Sequence, residues 1–155
     1  MKKILLTFLA IFCISLFANA QDKQTEKNKA LYYAILINNM DGVVKLLKDS
    51  ADVNYVVTTN GPELKISMLI TAVNKISINM VKTILSYKPD INFRDGFNST
   101  AIMYAAATGS RAMVQLLLKN GADIHDNDGR GTTVLTAAKE SGNAALINFV
   151  KEKLK

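Results

Sequence analysis

Apolar positions form one short block near the start of the chain and then a phrase that repeats. The block runs from Ile4 to Phe17, with Lys2 and Lys3 before it and Ala18-Asn19-Ala20 after it. A charged start, an apolar run and a small-x-small step follow the order of a secretory signal peptide, with cleavage expected after Ala20. The run is 14 residues long, whereas crossing a bilayer takes roughly 20. Cys13 lies inside it, but bulky Ile11 and Phe12 stand where a lipoprotein signal carries small residues, so lipidation is not expected. The polar stretch 21–29, "QDKQTEKNK" with its last residue Lys29, reads as a frayed segment ahead of the first repeat.

Beyond it the pattern becomes periodic. "VKLLKDSADVN" ends at Asn54, "TILSYKPDIN" at Asn92 and "LLLKNGADIH" at His125. Each is an apolar pair, a polar break, an Asp, a β-branched residue and then Asn or His. The last two phrases are 33 residues apart and the first two 38, the same period with about five residues added. An alanine-bearing helical segment precedes each phrase: "LYYAILINN" from Leu31, "LITAVNKIS" from Leu69 and "IMYAAATGS" from Ile102. A fourth, "LTAAKESGN" from Leu135, opens a unit that the C-terminus cuts short. A fixed period of this length is the signature of a stacked repeat array.

A 33-residue unit with a Gly-bounded turn and two short helices resembles the ankyrin repeat. The third unit matches best, with Thr100-Ala101-Ile102-Met103 in the signature position, the pair Ala105-Ala106, Gly109, Val114 with Leu116-Leu117-Leu118, and Gly121-Ala122-Asp123-Ile124 at the close. The resemblance implies an all-α solenoid of helix–turn–helix units with projecting β-turn fingers. It divides the chain into a signal peptide 1–20, a polar segment 21–29 and a repeat domain 30–155, with units near 30–58, 64–96, 97–129 and 130–155. Ala34, Ala72, Ala105 and Ala138 are expected to let neighbouring backbones approach, and Leu46, Leu85, Leu117 and Val150 to fill the seams. Gly109, Gly121 and Gly142 suit the left-handed turn that closes a helix, while Ile76 stands in place of a glycine. Thr100 and Thr133 are the expected N-caps. Asp95-Gly96 and Asp128-Gly129 mark finger turns, and "TTNGPE" near 58–63 reads as a longer finger. Lys151, in the place of Leu118, would be costly to bury under a fifth unit, so the array is expected to end there.

The family's signature histidine is missing from all four units, where Tyr32, Ile70, Met103 and Thr136 stand. The hydrogen bond it makes between turns is therefore lost, and hydrophobic contact is expected to substitute.

Candidate chemistry is sparse. The one histidine, His125, aligns with Asn54 and Asn92, which assigns it a turn-stabilising role rather than that of a general base. "DIHDNDG" fails as a calcium loop: counting back from Gly129 puts Ile124 at position 1 and Leu135 at position 12, where oxygen ligands are required. Asn98-Ser99-Thr100 is a glycosylation sequon, usable only in a eukaryotic host. No catalytic residue, metal site or cofactor is expected. Removing Lys2 and Lys3 with the leader lowers the net charge from +6 to +4. The remaining cations lie far apart in sequence, and no nucleic-acid footprint is expected.

What remains is a binding surface. By the resemblance, partner contacts come from the finger tips and the exposed side of the first helices. On the fingers these are Lys65, Ile66, Phe97, Asn98, Ser99, Arg130 and Thr132. On the helices they are Tyr33, Thr71, Lys75, Tyr104 and Thr108. Phe97 would be either an interface anchor or a packing partner of Phe93, and Tyr33 with Tyr104 suggests a paired aromatic rim. The expectation is an exported, non-catalytic and monomeric module, bacterial and periplasmic or secreted. It would engage another protein and make no stable membrane insertion after cleavage. The alternative is a dedicated guard, protecting a periplasmic redox enzyme or neutralising an exported toxin; an enzyme is the weaker third.

Overall fold

A computed structural model describes residues 2–58 and 65–155, with side chains from Ala18 onward. The longer finger expected at 58–63 falls outside these residues, except for Thr58. Eight helices run in order: α1 (Lys2–Leu36), α2 (Met40–Lys48), α3 (Met68–Asn74), α4 (Ile78–Ser86), α5 (Ala101–Ala107), α6 (Arg111–Lys119), α7 (Val134–Glu140) and α8 (Ala144–Lys153). Two short strands, β1 (Val57–Thr58) and β2 (Lys65–Ile66), pair antiparallel between α2 and α3.

The helices form two layers. The end of α1 packs on α3, α3 on α5 and α5 on α7, making an inner row, while α2, α4, α6 and α8 each pack back on their own inner partner. The alanines explain how closely the inner row is set. Ala34, Ala72, Ala105 and Ala138 are all buried, in a core with Leu31, Ile35, Leu69, Ile70, Ile102 and Val134. Each inner helix except α1 is only seven residues long, too short to be stable without neighbours. In the outer row Val43, Val81 and Val114 are fully buried. The expected seam residues need one change of register. Leu117 and Val150 are fully buried and Ile84 is their equivalent, whereas Leu85 aligns with Leu118; in the first unit Leu47 is buried and Leu46 only half-buried.

The same turn recurs four times between inner and outer helices. Asn38, Ile76, Gly109 and Gly142 take positive φ values of 54°, 56°, 74° and 70°. The next residues along, Asn39, Ser77, Ser110 and Asn143, cap the outer helices, each accepting a backbone N–H with its side chain. Ile76 adopts a backbone that disfavours a β-branched residue by about 1–2 kcal/mol, and it is 63% exposed, so burial returns little. Of the two expected inner caps, Thr133 forms a capping box with Thr136. Thr100 sits at its cap position but makes no side-chain cap bond, because its hydroxyl donates to Asp126 instead.

The polar stretch 21–29 is not frayed. It is helical throughout, continuous with the residues on both sides. Asn28 is buried and its Oδ1 accepts from the Asp52 backbone N–H (2.8 Å) and from Gln24 Nε2 (3.0 Å). Gln24 also donates to the Ser50 carbonyl (2.9 Å), and Lys27 donates to the Asp49 carbonyl (2.7 Å). These donors satisfy carbonyls where α2 ends, which is why polar side chains belong there. Among the described residues no helix is long and apolar enough to cross a membrane.

Candidate partner-binding face

The fingers are built by aspartates. Asp95 Oδ1 accepts the N–H groups of Phe97 and Ser99, both at 2.9 Å, and Asp128 Oδ1 accepts those of Arg130 (2.8 Å) and Thr132 (2.9 Å). These donors hold the Asp128 carboxyl below its ordinary value, with the Arg130 N–H the largest cause. Adjacent fingers are then tied together. Arg94 donates to the carbonyls of Asn98 (2.9 Å) and Asn127 (2.8 Å) and pairs with Asp126, whose side chain is 4% exposed. Thr100, fully buried, donates to the other Asp126 oxygen, and Asn98 Nδ2 reaches the Asp128 carbonyl at 2.8 Å. The missing signature histidine is thus replaced by a polar network, not by hydrophobic contact alone. Sequence reasoning missed this latch although a signal existed: Asp126 lies 33 residues after Phe93, a carboxylate where the preceding unit has an aromatic.

The phrase-ending residues also bridge units. Asn54 accepts the Asp90 N–H at 2.7 Å, and Asn92 Nδ2 approaches the Gly121 carbonyl at 3.5 Å. His125 has no such part; its turn is closed by Asp123, which accepts the His125 backbone N–H, and its side chain is exposed. The last unit ends before reaching the register it would need to bridge.

The expected contact residues separate into three groups. Tyr33 (62% exposed), Lys65, Lys75, Phe97 (53% exposed), Asn98, Thr108 and Arg130 are open to solvent. Phe97 does not stack on Phe93, since the one close aromatic pair among the described residues is Tyr32 with Tyr33 (5.6 Å between centroids). Ile66, Ser99, Tyr104 and Thr132 are half-buried, with Ile66 packed on the core. Thr71 must be withdrawn: it is buried and its hydroxyl donates to the Ser67 carbonyl at 2.8 Å, satisfying it within its own helix. The aromatic rim does not form either. Tyr33 and Tyr104 belong to alternate units with Thr71 at the place between them, and the Tyr104 hydroxyl is occupied by Asp95. Burial first, then that carboxylate, push the Tyr104 phenol above its ordinary value.

Three expected residues do converge. Ser99, Tyr104 and Thr132 line a cleft of about 150 Å³ between the third and fourth units, together with Met103, Ala107, Ala137 and Glu140. Ala107 and Glu140 occupy the same repeat position one period apart, so the register alone is enough to name them. Among the described residues no cluster of His, Cys, Asp and Glu is arranged to hold a metal ion.

Among curated proteins none matches the chain. The family model of ankyrin repeats matches residues 68–154 in 3 copies, more than half of the 155-residue chain. Two rows of short helices, left-handed turns at a fixed period and aspartate-built fingers agree with that match. The chain belongs to the ankyrin-repeat family, whose repeats generally serve as non-catalytic modules for protein–protein interaction.

Proposed function

We propose that the protein is an exported, non-catalytic monomer that grips one protein partner with its fingers and inner-helix side, in the bacterial periplasm or outside the cell. The observation that carries this reading is the pairing of exposed side chains with a fixed backbone. Phe97 and Arg130 project from turns whose N–H groups are already held by Asp95 and Asp128, and they flank the cleft lined by Ser99, Tyr104 and Thr132. Aromatic and Arg side chains are the commonest interface anchors, and anchors on a rigid turn lose little freedom on binding. Lys65, Lys75 and Thr108 extend the exposed surface toward the other units. Export rests on the order of charge, apolar run and small residues in Lys2–Ala20.

The test is capture from a native envelope extract, identification of the bound protein, and titration of that protein against variants. Phe97→Ala with Arg130→Glu is expected to weaken capture at least about thirtyfold, the scale of a hot-spot loss. Asn79→Ala, at an exposed position of α4, serves as the control and leaves capture unchanged. Full capture by the double variant, with its helical signal intact, overturns the assignment of the face. The N-terminal residue of the exported protein checks the leader separately: Gln21 is expected, and Met1 contradicts cleavage.

A further inference from the structure

The cations that look scattered in the sequence are gathered by the repeat period. The four outer helices α2, α4, α6 and α8 carry Lys45, Lys48, Lys82, Arg111, Lys119, Lys151 and Lys153 against only Asp41 and Glu152. The inner helices α3, α5 and α7 carry one Lys139 and one Glu140, which cancel. All seven outer cations are exposed, and among the described residues none is in an ion pair.

The acids are used quite differently. Asp52, Asp90, Asp95, Asp123 and Asp128 each accept a backbone N–H two residues on, and Asp126 is held by Arg94 and Thr100. Carboxylates are therefore spent on building turns, while the outer cations build nothing of the kind. The fold leaves one face with unanswered positive charge. That face is continuous: the Thr83 hydroxyl on α4 touches Met40 Sδ on α2 at 3.6 Å, and α6 packs on both α4 and α8. With helix spacings of about 9 Å and helices roughly 13 Å long, it measures about 30 Å by 13 Å. At its α6–α8 end lies a hollow of about 340 Å³ lined by Gln115, Leu118, Lys119, Phe149 and Lys153, with no carboxylate. Arg111 and Lys153 lie 4.9 Å and 5.8 Å from the centre of the Phe149 ring.

We propose that this outer-helix face docks on the anionic surface of a phospholipid bilayer, leaving the finger side free for the protein partner. Six of the seven cations are lysines, hydrated point charges suited to a diffuse field; a nucleic acid or a shaped acidic protein is better served by Arg forks, stacking aromatics or a central anchor. The large exposed apolar residues Tyr33, Ile37, Ile76 and Phe97 all lie off these helices. The contact is electrostatic and superficial, with the α6–α8 hollow taking one phosphate headgroup, and it involves no insertion.

The test uses the full chain with vesicles of phosphatidylcholine alone and of phosphatidylcholine with phosphatidylglycerol. The gain in partitioning between the two isolates charge from any apolar contribution of residues 4–17. A gain of about tenfold or more that high salt abolishes is expected. Each cation at such a surface is worth roughly fivefold, so changing Lys45, Lys82, Lys119 and Lys153 to Gln should remove the gain. The control changes Lys65, Lys75 and Arg130 to Gln on the other side and should lower the gain less than about threefold per cation removed. Three results overturn the proposal: an anionic gain below about twofold, equal loss per charge in both variants, or a nucleic acid or acidic polypeptide displacing the protein at charge concentrations where lipid does not. The substituted side chains are all exposed, and circular dichroism confirms that each variant is folded.

Discussion

The second and third units sit side by side with inner helices of the same length, yet they are stabilised differently. In α3 the buried residues run unbroken from Met68 to Val73 and include Met, Leu, Ile and Val; in α5 three of the five buried residues are alanines. The second unit gains apolar burial but turns through left-handed Ile76 and Lys88, whereas the third turns through Gly109 and Gly121. The third unit also carries the Arg94–Asp126–Thr100 latch at its fingers. A repeat can thus keep its geometry with large side chains and strained turns, or with small side chains, relaxed turns and a polar tie. What the two units share is the backbone path.

That contrast can be broken most severely at the latch. Asp126→Ala leaves the fully buried Thr100 hydroxyl without its acceptor and half-frees Arg94. A loss of about 3 kcal/mol in urea unfolding is expected, tempered by the partial exposure of Arg94. A loss below about 0.5 kcal/mol would mean that the third unit does not depend on the tie. In the second unit the expected effect has the opposite sign. Ile76→Gly relieves the left-handed backbone and should raise stability by about 1 kcal/mol, a gain that Gly109→Ala in the third unit should mirror as a loss. The smallest effect concerns a single finger. The Asp128 carboxyl is held low by the N–H groups of Arg130 and Thr132, so its ionised form steadies the turn above the ordinary aspartate value near about 3.9. That contribution fades as pH falls through the depressed value. The Arg130 amide resonance should therefore titrate with a midpoint below that of a free aspartate, and a midpoint at or above it contradicts the geometry.

The period makes much of the fold legible. Ala34, Ala72, Ala105 and Ala138 can be placed because a small residue every 33 or 38 positions has meaning only where neighbours stack. The glycine turns come from the same register. Three things are not readable, each for a physical reason. Asn28 and Lys27 look like a solvated leader because their partners, Asp52 and Asp49, are separated from them in sequence and supply backbone atoms, which carry no sequence signal. Thr71 looks like a surface residue because a hydroxyl can be satisfied by its own helix, four residues back. The outer-face cations look dispersed because spacing along the chain is not distance in space; one period separates neighbours that the stack brings together. Residues whose roles depend on the backbone or on a neighbouring unit are hidden until the units are superposed.

Beneath all of this lies the claim that each unit completes its interior with its neighbours' side chains. Native-state hydrogen exchange tests it directly. Leu146 in α8 is fully buried, and Leu146→Ala should weaken the fourth unit by about 3 kcal/mol. If the stack opens as one body, the amide of Ala105 in α5 loses protection along with those of α8, by at least about 1 kcal/mol. Protection of Ala105 left at its original level, while α8 alone becomes labile, would contradict the account.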